Sequence, residues 1–237
     1  MYNNIVFNLY GTLIDIKTNE EKDEIWEKFA IYFGYNGAHY EKDELKERYS
    51  KIVNKLIKNN DKYECPDYEI EDVFFKLYKD KGVKPKKKAK QTAKTFRLLS
   101  TEYIKLYDGV IETLEKLVEQ NKKIYLLSNA QKAFANAEIK YLKIKKYFND
   151  TCISSNIGIR KPDIKFYEYF LEKYQLEPKE TLFIGNDYID LKGANDMGID
   201  SLYLHTNLSN GLPENIEATY KILDGDIRKI FDIINVG

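Results

Sequence analysis

Cysteine and histidine are scarce in this chain, with two of each in 237 residues, and there is no surplus of charge. Cys65 and Cys152 lie far apart, without the close spacing of a metal or redox pair, and read as two free thiols in a reducing compartment. With only His39 and His205, a histidine-based zinc site is not expected. Lys plus Arg and Asp plus Glu both total 38, so the net charge is zero. That balance argues against a general binder of nucleic acid or of membrane surfaces, which would show a basic surplus. No apolar run approaches the length of a membrane span. Nothing resembles a signal peptide, since Met1 leads almost directly into a strand-like run; a cytoplasmic location is the expectation.

What is present is a core-forming composition, 43% hydrophobic. Short apolar runs bounded by Gly, Asn, Asp or Ser occur at Asn4–Phe7, Lys123–Leu127, Thr151–Ser154, Thr181–Ile184 and Ser201–Leu204, with a weaker one at Thr219–Leu223. Such runs suit strands buried on both faces. Helical patterns separate most of them, as at Val110–Glu119, Asp163–Tyr174 and Asp226–Ile234. The fold class expected is α/β, a doubly wound parallel sheet.

Residues 16–107 break that rhythm and read as helices only, at Lys42–Lys58, Ile70–Lys81 and Lys86–Ser100. A first helix is predicted to start from a capping box with Thr18 as N-cap and Glu21 at the third helical position. It carries Ile25, Phe29, Tyr32 and Phe33 on one face. The expected organisation is therefore a helical insert, 16–107, within an α/β core formed by 1–15 and 108–237. The insert's aromatics, including Trp26, Phe29 and Tyr32, read as its own core rather than as a substrate box. The lysines at 84, 86, 87, 88 and 90 read as a solvated helix start rather than an anion or RNA site.

In a doubly wound sheet, ligands bind beyond the carboxyl ends of the strands. Four loops reach that edge: Asn8–Thr12, Ser128-Asn129, Gly158–Asp163 and Gly185–Asp190, with Gly193-Ala194 just beyond. Between them they supply hydroxyls, a lysine, carboxylates and backbone N–H groups, a set suited to a small anion. Each residue alone has an ordinary structural explanation. Asn8 can bond its own backbone, Ser128 can cap a helix, Lys161 can be an exposed loop lysine, and Asp187 and Asp190 can solvate a helix start.

The ordered set resembles the haloacid dehalogenase (HAD) superfamily of hydrolases, and the helical insert matches the position of that family's cap. The resemblance implies that residue 8 is the nucleophile position, an Asp in the family and Asn8 here. It implies that Tyr10 stands where phosphatases of the family carry a general acid/base. Gly11, Thr12 and Leu13 match. Ser128, with Asn129 beside it, falls where the transferred group is bound, and Lys161 where charge is offset. It also implies a magnesium site drawn from Asn8, Tyr10, Asn186, Asp187 and Asp190, weakened because Asn186 replaces the main carboxylate.

The function expected is then hydrolysis of a small anionic molecule. First comes a magnesium-dependent phosphatase using an aspartyl intermediate. Its alternatives are an L-2-haloacid dehalogenase and a non-catalytic anion-binding protein. Asn8 should keep the site's shape and remove its reaction, either as a substrate trap or in a natural binding member; the retained Gly11, Thr12, Ser128 and Lys161 favour the trap. Leu9–Leu13, and Lys161-Pro162-Asp163 with Tyr167, resemble the dehalogenase branch, where halide leaves without a proton donor. That branch also uses a cap arginine, and only Arg48 and Arg97 lie in the insert.

Overall fold

The computed structural model of the chain describes residues 2–85 and 87–235; Lys86 of the lysine cluster lies outside them. The elements run β1 (Asn4–Phe7), β2 (Ile14–Thr18), α1 (Asp23–Tyr35), α2 (Lys42–Lys58), α3 (Ile70–Asp80), α4 (Lys88–Ser100) and β3 (Thr101–Leu106). They continue through α5 (Val110–Glu119), β4 (Lys123–Ser128), α6 (Lys132–Tyr141), β5 (Asp150–Ile153), α7 (Ser154–Ile157) and α8 (Ile164–Tyr174). The chain closes with β6 (Thr181–Gly185), α9 (Tyr188–Asp196), β7 (Asp200–Leu204), β8 (Tyr220–Ile222) and α10 (Ile230–Ile234).

Six strands form one parallel sheet in the order β5-β4-β1-β6-β7-β8. Alternate residues of each central strand enter opposite cores. Ile5, Phe7, Ile124, Leu126, Leu182 and Ile184 pack with α5 and α10. Val6, Tyr125, Leu127, Phe183 and Tyr203 pack with α8 and α9. This two-sided burial is why the strands read as continuous apolar runs. β1 lies centrally between β4 and β6, so the loops after these three strands emerge side by side.

Helices α1–α4 hold a third core of Trp26, Phe29, Phe33, Phe74, Leu77 and Phe96, in which Phe29 meets Trp26, Phe74 and Phe96 ring to ring. Trp26 and Phe29 are thus packing residues. Phe134 of α6 joins that core from the sheet side.

The stretch from 16 to 107 is not helical throughout. β2 and β3 pair antiparallel at its two ends, with Ile14 opposite Leu106 and Ile16 opposite Ile104. The alternation in Ile14-Asp15-Ile16-Lys17 and in Tyr103-Ile104-Lys105-Leu106 carries that period-two signal. Thr18 consequently belongs to a strand and caps no helix: α1 starts at Asp23 after Lys22, and the Glu21 N–H donates to the Asn19 side chain. The last helix of the chain begins as a 3-10 turn, Ile227–Lys229, before α10. No helix among the described residues is long and apolar enough to cross a membrane.

Candidate active site

The first loop carries the centre. Asn8 directly follows β1, and its backbone N–H donates to the Ile184 carbonyl of β6 at 2.8 Å. Its side chain, 7% exposed, uses all four of its hydrogen-bonding positions. Oδ1 accepts from Ser128 Oγ at 3.1 Å and from Lys161 Nζ at 3.0 Å. Nδ2 donates to the Tyr10 carbonyl at 2.9 Å and to Asn186 Oδ1 at 3.1 Å. Thr12 Oγ1 also donates to Asn186 Oδ1, at 3.1 Å. Gly11 sits at φ 79°, and a Cβ there would overlap the Asn186 amide, so the turn needs glycine on both counts.

Lys161 is 2% exposed. Its ammonium donates to Asn8, to the Leu127 carbonyl at 3.0 Å and to Asp190 Oδ1 at 2.6 Å. Burial pulls its pKa below the ordinary lysine value, and the Asp190 carboxylate opposes that pull. Asp190 completes its set with the Asn186 N–H, and its carbonyl accepts from Tyr167 O–H at 2.7 Å. Gly193 is flush against the Tyr167 ring, which leaves no room for a side chain there.

Asn8, Thr12, Ser128, Lys161, Asn186 and Asp190 therefore meet in one buried cluster. Three expected members do not point into it. Tyr10 turns its hydroxyl away, to Glu138 of α6. Burial first, then the Glu138 carboxylate, pushes that phenol well above its ordinary value. Asp187 caps α9 and accepts from Asn210 Nδ2 at 2.5 Å. Asn129 braces the Lys161 backbone, donating to its carbonyl at 3.0 Å and accepting from its N–H at 2.7 Å.

The arrangement does not fit a resident divalent cation. Magnesium takes one or two carboxylates plus waters. Asp190 is neutralised by Lys161, Asp187 faces elsewhere, and the two oxygens nearest residue 8, those of Tyr10 and Asn186, already accept from an amide. No group of three or more His, Cys, Asp or Glu side chains suited to a metal occurs among the described residues.

Three contributors, Glu138, Thr206 and Leu208, escaped the sequence reading, and Arg97 was named there only as one of the insert's two arginines. Arg97 of α4 pairs with Glu138 at 2.7 Å, approaches Glu20 at 3.6 Å and lies 5.5 Å from the centre of the Tyr10 ring. Glu138 could have been suspected as a charge on a helical face shared with buried Ala135 and Ile139. Thr206 donates to the Gly11 carbonyl at 2.7 Å, and the Leu208 carbonyl accepts from Asn186 Nδ2 at 3.2 Å. A backbone carbonyl has no side-chain signature, so nothing in the sequence could have marked Leu208.

Residues 2–198 match the family model described as haloacid dehalogenase-like hydrolase. The chain belongs to that family. Among sequence relatives, this HAD-like protein is 29% identical to (S)-2-haloacid dehalogenase 4A of Burkholderia cepacia over 111 residues, 46% of this chain and 48% of the relative. It is 24% identical to a phosphoglycolate phosphatase of Pseudomonas putida over 131 residues, 55% of this chain and 48% of the relative. The chain thus spans about half the length of these relatives. The 2-haloacid dehalogenase from Pseudomonas syringae superposes with a TM-score of 0.70 at 16% identity, covering 99% of each chain. The HAD-hydrolase YfnB of Bacillus subtilis, solved bound to magnesium, gives 0.58 at 20% identity, again over 99% of each.

Proposed function

We propose that this HAD-like chain is a small-molecule hydrolase scaffold held before its first chemical step by Asn8. The observation that carries this reading is the cradle around Asn8 Oδ1. Ser128 and the Lys161 ammonium both donate to it, from different strands and loops, inside a buried site. Such donors suit a carboxylate, whose charge they would stabilise while leaving it aimed at a substrate. An amide oxygen in the same place is neutral and a far weaker nucleophile.

Tyr10 is the only side chain at the family's acid position, and its proton is tied to Glu138 with a pKa moved away from useful range. The substrate should therefore lose a group that departs unprotonated. Two classes meet this requirement: an acyl or aryl phosphate and a 2-haloacid. The phosphatase names among the relatives support phosphoryl transfer in general, though phosphoglycolate is itself an alkyl ester, and Arg97 beside Tyr10 supports the second. In the first, a carboxylate at residue 8 displaces the leaving oxygen from phosphorus, and water then cleaves the acyl phosphate to release inorganic phosphate. In the second, it displaces halide from carbon, and water then opens the ester.

The test is Asn8→Asp assayed beside the parent on aryl, acyl and alkyl phosphates and on 2-chloropropionate, each with EDTA and with Mg2+. The reading expects turnover by Asn8→Asp only, on the order of 10³-fold or more above the parent, and faster on aryl or acyl than on alkyl phosphates. Parent turnover equal to that of the variant would refute it, and so would a folded Asn8→Asp inert on every compound.

A further inference from the structure

The orientation of the two buried amides is dictated by partners of single character. Asn8 Oδ1 faces the Lys161 ammonium, which can only donate, and Nδ2 faces the Tyr10 carbonyl, which can only accept. Asn186 Nδ2 faces the Leu208 carbonyl, so its Oδ1 must turn toward residue 8 and Thr12. Neither amide can flip without setting like groups against each other.

The N–H groups of Asn8 therefore stand between two oxygens that would otherwise face each other without a donor. We propose that the Asn8 amide performs the structural task of a divalent cation: its two polarised hydrogens hold the Tyr10 carbonyl and Asn186 Oδ1 together, so the closed site is complete without metal. The charge balance agrees. Lys161 and Asp190 cancel, and Asn8, Asn186, Ser128 and Thr12 add none. The loop Thr206–Asn210 enforces the state from outside, because Leu208 holds Asn186, Thr206 holds Gly11 and Asn210 holds Asp187 away.

A carboxylate at position 8 reverses this. Its second oxygen would meet the Tyr10 carbonyl and Asn186 Oδ1 with no hydrogen between them. Three oxygens, one of them charged, then converge in a buried pocket, which is unfavourable until a cation enters. With Asn186 and the Thr206–Asn210 loop so placed, residue 8 is the switch between a site complete without metal and one that needs it.

Thermal melting and calorimetric titration with MgCl2 test this without any assay of activity. The parent should melt at the same temperature in EDTA and in Mg2+, and give no binding heat. Asn8→Asp should melt several degrees lower than the parent in EDTA, recover in Mg2+ and bind the ion. Asn8→Ala, which removes the amide without adding charge, should lose stability and regain none with Mg2+. A rise in the parent's melting temperature with Mg2+ would overturn the proposal, as would a folded Asn8→Asp indifferent to it. Should Asn8→Asp fail to fold, the parent and Asn8→Ala still decide: recovery of Asn8→Ala by Mg2+ contradicts the assignment of the cation's task to the amide. Magnesium dependence without turnover in Asn8→Asp would sink the hydrolase reading and leave this one standing; turnover without magnesium dependence would do the reverse.

Discussion

Lys161 is the residue on which most of the site rests, because one ammonium serves residue 8, the end of β4 and Asp190 at once. Burying a charge is costly unless it is paired and hydrogen-bonded, and here each proton has an acceptor. Replacing Lys161 by Met leaves Asp190 buried with its charge uncompensated. The expected loss is about 3–5 kcal/mol in denaturant unfolding. Changing Asp190 to Asn in that background should return part of it, since the pair no longer has a lone member. A loss in the double variant equal to the sum of the losses in Lys161→Met and Asp190→Asn would show that the pair is not coupled. Tyr10→Phe is a milder case: it removes one bond to a carboxylate, worth about 1.5–3 kcal/mol. It should leave turnover of Asn8→Asp on aryl phosphates near its unmodified level. A large fall in that rate would return Tyr10 to acid catalysis.

At the scale of elements, the β2–β3 ribbon joins the helical insert to the sheet, and Asp15 anchors it. Asp15 accepts from Tyr103 O–H at 3.0 Å and Asn207 Nδ2 at 3.1 Å, with Lys105 at 3.4 Å. Burial by itself would raise its pKa, but the bonds from Asn207, Tyr103 and Lys105 together take it below the ordinary carboxylate value. The ionised form is thus favoured in the folded state. That contribution is present above about pH 4 and fades as pH falls through the lower folded value. Asp15→Asn should flatten the acid end of the stability–pH curve over that window, and an unchanged acid limb would contradict the assignment. The same ribbon shows why sequence reading missed an element. Ile14–Thr18 and Thr101–Leu106 are short, the first mostly buried and the second largely exposed, and they lie directly against the first loop and α4, so their alternation is swamped by neighbouring helical signals. The sheet strands were legible because they are apolar on both faces. In the insert, Phe29→Ala should cost about 3–5 kcal/mol through the cavity left among Trp26, Phe33, Phe74 and Phe96.

Across the whole molecule, the insert and the sheet are joined by bonds that surround the site. Gln131 bonds the Tyr68 carbonyl and the Ile70 N–H, Asp163 accepts from the N–H groups of Glu64 and Cys65, and Arg97 reaches Glu138. The site residues on strand ends were readable from sequence because topology alone brings those loops together. Ser128, Lys161, Asn186 and Asp190 fall there. The directions of Tyr10, Asp187 and Asn129 were not readable, since each is decided by a partner far away in the chain: Glu138, Asn210 and the Lys161 backbone. Magnesium was expected from the family resemblance at Asn8, Tyr10, Asn186, Asp187 and Asp190, and in this chain neutral amides and the Lys161–Asp190 ion pair satisfy the same space.

The central claim is that residue 8 is the point at which an otherwise assembled hydrolase is arrested. Intact-mass and peptide mass spectrometry after acid quench test it most directly, with parent and Asn8→Asp each incubated with Mg2+ and either acetyl phosphate or 2-chloropropionate. The account predicts a covalent phosphoryl adduct, or from 2-chloropropionate a 1-carboxyethyl ester, on the peptide containing residue 8 in Asn8→Asp, and none in the parent. An adduct on the parent, or turnover by Asn8→Asp with the label on any other residue, would contradict it.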